Sequence, residues 1–150
     1  MKKVIAIIAG EPNSISSEII FKSWKYRNQY LHKPFFVIGN INLLNMQKKL
    51  LKYKFKIKKI NNNFKLNDLM GSELPVYNIN YNQKKPFEKI SIKSNIYILK
   101  CFDAALNFSK KNQLVGFINC PVSKEHLFKE EYQGVTEFLA KKTGSKNNTV

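Results

Sequence analysis

VIAIIAGEPNSISSEII, residues 4–20, is the stretch whose reading decides the fold. Val4 to Ala9 is an apolar run of strand length. It breaks at Gly10-Glu11-Pro12-Asn13-Ser14, a set of turn-forming residues. A helix follows from about Ser16 to Tyr26, with Ser16 or Ser17 expected as its cap and Glu18 in its first turn. The start of the chain imitates a signal peptide. However, the apolar run is shorter than a secretory h-region and ends in a Gly-Glu-Pro turn. A buried first strand leading through a loop into a helix is the reading taken here. It implies a sheet covered by helices.

Working outward, the same alternation repeats. Pro34 to Gly39 reads as a second strand. Asn42 to Tyr53 has helical spacing in Leu43, Leu44, Met46, Leu50 and Leu51. Phe55 to Ile60 reads as a third strand. Residues 61–86 are loop-rich, with a short strand expected around Pro75 to Ile79. Ser94 to Lys111 is an amphipathic helix with Ile98, Leu99, Phe102, Ala105 and Leu106 on one side. Leu114 to Asn119 is another strand, followed by a short helix from Glu125 to Phe128. The fold class is therefore α/β, with a parallel or mixed sheet between helices. In such sheets ligands bind where the loops after the strands collect. Two loops meet that description, GEPNSISSE after the first strand and NCPVSKEHL after the later one.

Bulk composition narrows the class further. The 150 residues are 43% hydrophobic, enough for one ordinary domain with a real core. No apolar run has the length of a membrane span. Cys101 and Cys120 have no metal spacing and form no disulfide framework, which fits a reduced, cytoplasmic setting. The net charge of +16 invites a nucleic-acid reading. Against it, Arg27 is the only arginine among 26 basic residues, and arginine makes most base-specific contacts. In KKLLKYKFKIKKI, residues 48–60, lysines alternate from Lys52 to Lys58 with Tyr53, Phe55 and Ile57 between them. That pattern places a solvated face over a buried one, and a polyanion-binding face is the alternative.

YQGVTEFLAKKTG, residues 132–144, reads as a turn at Gly134 and a helix capped by Thr136, with Glu137 at its positive end. Val135 is out of place between them, since polar residues usually collect there. It is either a packing corner or a site that has lost a polar residue. The chain then closes on a polar turn and the β-formers Thr149 and Val150.

Taken in order, IIAGEPNSISSEII, an amphipathic helix ending FDAAL, GFINCPVSKEHL and YQGVTEFLA resemble one family, 4-hydroxythreonine-4-phosphate dehydrogenase of vitamin B6 biosynthesis. The family has a Gly-Asp/Glu-Pro-x-Gly-Ile-Gly-Pro-Glu opening, a Thr-x-Pro-x-x-Lys segment and a Gly-His-Thr-Glu segment. The resemblance implies an α/β/α sandwich similar to isocitrate and isopropylmalate dehydrogenases, with the active site in a cleft between two domains. It implies NAD or NADP, a divalent metal held by histidines at a homodimer interface, and oxidation with decarboxylation of 4-phosphooxy-threonine. It places Glu11 and Pro12 in the opening motif, and Lys124 and Thr136 as substrate-binding residues. Val135 occupies the position of the substrate-binding histidine.

The departures are equally specific. The opening lacks the family's glycines: Ile15 stands between Ser14 and Ser16, and Ser17 replaces the proline. Asn119 replaces the usual threonine. His32 and His126 do not match the family's metal ligands, so no metal ligand and no catalytic residue is assigned in this chain. The resemblance covers the N-terminal part of a family member, and the end at Thr149-Val150 reads as a truncation. The chain alone is expected to be inactive, needing its missing C-terminal half. The alternative is a degenerate or split-gene remnant that serves as a non-catalytic binding domain or subunit.

Overall fold

A computed structural model describes residues 4–30 and 33–145. Thr149 and Val150, expected to begin a further strand, and His32 lie outside the described residues. Five strands form one sheet: β1 (Ile5–Ile8), β2 (Phe35–Gly39), β3 (Ile57–Ile60), β4 (Leu74–Asn78) and β5 (Gly116–Asn119), in the order β3-β4-β2-β1-β5. Every pairing is parallel; Ile5 lies opposite Phe35 on one side and Gly116 on the other. The helices are α1 (Ser16–Lys25), α2 (Arg27–Tyr30), α3 (Ile41–Leu50), α4 (Ile92–Lys110), α5 (Lys124–Phe128) and α6 (Val135–Thr143).

The two-residue period of the strands divides the core into two layers. Phe36 and Ile38 of β2 join Ala6 and Ile8 of β1 against Ile98, Cys101, Phe102 and Ala105 of α4. Phe35 and Val37 face the other way, against Ile20, Phe21 and Trp24 of α1 and Leu44 of α3. All five residues of β2 are buried, as a central parallel strand covered on both sides requires. The helix-covered parallel sheet expected from the alternation is what the chain forms, and it is the α/β/α sandwich that the resemblance implies.

Local chemistry sets the ends of these elements. Asn40 caps α3, accepting the Leu43 N–H at 2.9 Å, and the helix stops at Leu50, with Lys52 in the left-handed region at φ 60°. This is earlier than the end at Tyr53 expected from the leucine spacing. Tyr53 and Phe55 instead turn inward onto Phe21, with ring centroids 5.4 and 5.5 Å away, while Lys52, Lys54 and Lys56 are exposed. The short strand expected around residues 75–79 is β4, and it lies inside the sheet between β3 and β2.

Two expected caps are corrected. Neither Ser16 nor Ser17 caps α1: both are buried inside its first turn, and Ile15 holds the cap position without a side-chain bond. Ser14 takes the role outside the helix, its Oγ accepting the Ser16 N–H at 3.2 Å. Thr136 does not cap α6 either. Gly134 holds that position, Val135 opens the helix, and the carboxylate of Glu137 reaches back to accept the Gln133 N–H at 2.6 Å.

Candidate active site

In a parallel sheet the loops after the strands share one edge, and here the loops after β1 and β5 touch. The Glu11 N–H donates to the Pro121 carbonyl at 2.9 Å, and the Ser16 hydroxyl reaches the same oxygen at 3.3 Å. Gly10 makes the approach possible. It sits at φ 70°, and a Cβ there would fall 2.6 Å from the Pro121 oxygen and 2.8 Å from that of Cys120. Cys120 lies beneath this junction, buried, with its thiol pushed up to about 11 by burial. It therefore stays protonated near neutral pH and is no ready nucleophile.

Glu11 is only 2% exposed. Its Oε1 accepts the Asn13 N–H at 3.0 Å. Ser94 Oγ stands 3.5 Å from Oε2, but its proton is better placed on the Ser91 carbonyl at 2.8 Å. Burial raises the carboxyl above its ordinary range; bonds from Asn13 and Ser94 and the proximity of His126 oppose that shift. His126 comes from α5, where its Nδ1 and the Ser123 hydroxyl lie 2.7 Å apart, and its carbonyl accepts from the Asn95 side chain at 2.7 Å. The β1 loop, the start of α4 and α5 thus converge.

Lys124 opens α5 and approaches the turn before α6. A Cβ on Gly134 would lie 3.6 Å from the Lys124 Nζ. No carboxylate pairs with this ammonium among the described residues, so its charge is available to an anion. Thr136, one turn position away, is exposed. Val135 is partly buried and packs against the core layer of α4. Of the candidate residues, Lys124, Val135 and Thr136 form one group around Gly134. Glu11 and Pro12 belong to the neighbouring loop, held to β5 through Pro121.

The sequence reading missed a strap. Residues 79–91 fold over the β1 loop and are fastened by amides. Gln83 Nε2 donates to Asn13 Oδ1 at 2.9 Å, and Gln47 Nε2 donates to the carbonyls of Pro12 at 2.7 Å and Pro86 at 2.9 Å. Asn13 Oδ1 also accepts the Glu88 N–H at 2.7 Å. Gln47 could have been found from the sequence, because it falls on the apolar side of α3 with Leu43 and Leu44. A polar residue on a buried face needs partners.

Comparison with known proteins decides the lineage. The family model described as pyridoxal phosphate biosynthetic protein PdxA matches residues 31–150. The chain belongs to this family. Lys124, Val135 and Thr136 lie inside the PdxA match, and Glu11-Pro12 precedes it. The fold is also that of solved structures. A 4-hydroxythreonine-4-phosphate dehydrogenase from Burkholderia phymatum superposes with a TM-score of 0.85 at 20% identity, over 98% of this chain and 45% of that one. One from Klebsiella pneumoniae gives 0.80 at 21% identity, over 95% and 45%. A terephthalate 1,2-cis-dihydrodioldehydrogenase from Burkholderia xenovorans gives 0.69 at 17%, over 95% and 41%. This PdxA-family chain spans less than half the length of these solved relatives. No curated protein matches it by sequence.

Two further facts bear on chemistry. Among the described residues no three His, Cys, Asp or Glu side chains are grouped as a metal site would require. The divalent metal implied by the resemblance therefore has no fitting site in them. No helix of the described residues is long and apolar enough to cross a membrane.

Proposed function

We propose that this chain is the N-terminal portion of an NAD(P)-dependent dehydrogenase acting on a small phosphorylated amino acid, 4-phosphooxy-threonine. The observation that carries this reading is the meeting of Lys124 with the Gly134-Val135-Thr136 turn, inside the PdxA match. An unpaired ammonium beside an exposed hydroxyl suits a phosphorylated or carboxylated substrate. Lys124 supplies charge, Thr136 supplies a hydroxyl that donates or accepts, and the strapped Glu11-Pro12 loop forms the neighbouring wall. NAD(P) supplies the hydride acceptor when bound. The 150 residues alone carry no turnover in this reading, and a partner half or a homodimer completes the site.

A second reading has one observation in its favour. Val135 cannot hydrogen-bond and is used for packing, where the family resemblance places a substrate-binding histidine. A contact of that kind contributes about 1–3 kcal/mol. Its loss suits a non-catalytic binding domain or subunit.

One experiment separates the two. The native protein, purified from its source cells and weighed intact, is assayed for NAD(P)H formation from 4-phosphooxy-threonine, and its affinity for that substrate is measured by calorimetry. Turnover that Lys124→Gln lowers supports the dehydrogenase. Binding without turnover, weakened roughly tenfold by Lys124→Gln, supports the binding domain. Neither turnover nor binding, with none gained in Val135→His, overturns both.

A further inference from the structure

The sole tryptophan and the sole arginine of the chain are stacked on each other. The Arg27 guanidinium carbon sits 3.9 Å from the Trp24 ring centroid. Its Nη1 donates to the Trp24 carbonyl at 2.8 Å and its Nη2 to the Gly71 carbonyl at 2.9 Å. These partners fix the guanidinium without neutralising it, and no carboxylate pairs with it among the described residues. Beside it lies a cavity of about 140 Å³. Lys33 adds a second cation to the lining, while Phe35, Leu69 and Met70 supply apolar wall. No Asp or Glu is among the described residues that line it. Trp24 also lines it and is 2% exposed, and its indole N–H has no hydrogen-bond partner.

We propose that this cavity binds a small organic carboxylate with an apolar body. Two uncompensated cations repel cationic ligands and favour an anion. A fixed planar guanidinium suits a carboxylate, because little side-chain freedom is lost on binding. The walls of Phe35, Leu69 and Met70 favour an apolar body over a bare inorganic ion. A cavity of this volume suits a body of a few carbons. The location separates this site from the candidate active site. Phe35 begins β2, so the cavity lies at the edge where the parallel strands start, whereas Lys124 and Glu11 lie where they end. The assignment therefore stands or falls independently of the dehydrogenase reading.

Because Trp24 is the only tryptophan, its emission reports the site directly. The full chain is titrated with hexanoate, with hexanol as the uncharged control, and both titrations are repeated by calorimetry. A saturable change with hexanoate, absent with hexanol, is expected. Lys33→Gln should raise the Kd roughly tenfold, since a charge-assisted contact is lost. Lys33 is exposed and ties nothing together among the described residues, so this variant keeps its fold. Arg27→Gln should weaken binding further; if its far-UV circular dichroism shows unfolding, Lys33→Gln alone decides. No saturable response, equal binding of hexanol, or a Kd unmoved by these substitutions overturns the proposal.

Discussion

Glu11 shows how one residue can couple the candidate site to pH. Its carboxyl is raised chiefly by burial, so the folded chain holds the proton more tightly than the unfolded chain does. A group raised in this way adds stability that is full below its unfolded value of 4.5 and is lost as pH rises through the folded value. At neutral pH, above the unfolded value, this raised carboxyl therefore works against folding. Glu11→Gln keeps an oxygen for the Asn13 N–H and removes the charge. The variant should melt at a higher temperature than the parent at pH 7, with the gain vanishing below pH 4.5 in a thermal melt series. A gain that is equal at both pH values would mean the carboxyl is not raised. Tyr97 makes the complementary case of a polar atom that stabilises. Its buried hydroxyl accepts the Asn40 N–H at 2.9 Å, at the residue that caps α3. Tyr97→Phe leaves that N–H without an acceptor and should cost about 1–3 kcal/mol in a urea titration. An unchanged midpoint would show that another acceptor takes its place.

At the scale of elements, the strap over residues 79–91 is held almost entirely by side-chain amides. It has no strand or helix of its own, so its order depends on Gln83, Gln47 and Asn13. Gln83 alone donates to Asn13, to the Lys85 carbonyl at 2.8 Å and to the Pro86 carbonyl at 3.2 Å, and accepts from the Tyr81 hydroxyl at 2.8 Å. Gln83→Ala should speed hydrogen exchange across residues 84–90 at least tenfold, roughly the effect of losing one net stabilising bond of about 1.5 kcal/mol, while exchange in β2 stays unchanged. Equal exchange in the variant would show that the backbone bonds of Lys84 and Lys85 to the Glu88 carboxylate suffice. The strap also marks where sequence reading stopped. The strands and the long helices were legible because periods of two and of 3.6 are local properties. The caps of α1 and α6 were not. Ser16 has the composition of a local cap, but its hydroxyl is shared between Ser14 and the carbonyl of Pro121, a residue brought near only by the β1–β5 pairing. Thr136 is not the cap of α6, because Gly134 holds that position and Thr136 falls inside the first turn. The opening and Gly134 motifs were readable as a resemblance, yet the contact of Lys124 with Gly134 is tertiary and left no mark in spacing.

At the scale of the molecule, the two edges that the sheet has among the described residues differ in a way that bears on assembly. An edge strand offers unpaired backbone groups, and charged residues on it discourage further pairing. β3 has such protection in Lys58 and Lys59. β5 is Gly-Phe-Ile-Asn, with no charge at all. Ile118 is 58% exposed on it and Val115 just before it is 53% exposed. An edge of this kind can accept additional chain, and it adjoins the loop that holds Pro121 against Glu11. The net charge of +16 opposes contact between copies, but that repulsion is screened within about 8 Å at physiological salt. Short-range apolar and backbone pairing then prevail. The chain should therefore associate with increasing concentration at physiological salt, and more strongly as salt rises. Ile118→Lys places a charge on the bare edge and should leave the chain monomeric in light scattering. Because Ile118 is already exposed, its replacement should move stability by no more than about 0.5 kcal/mol. A parent that stays monomeric at high salt, or a variant that associates as the parent does, would show that β5 is not the surface that governs assembly.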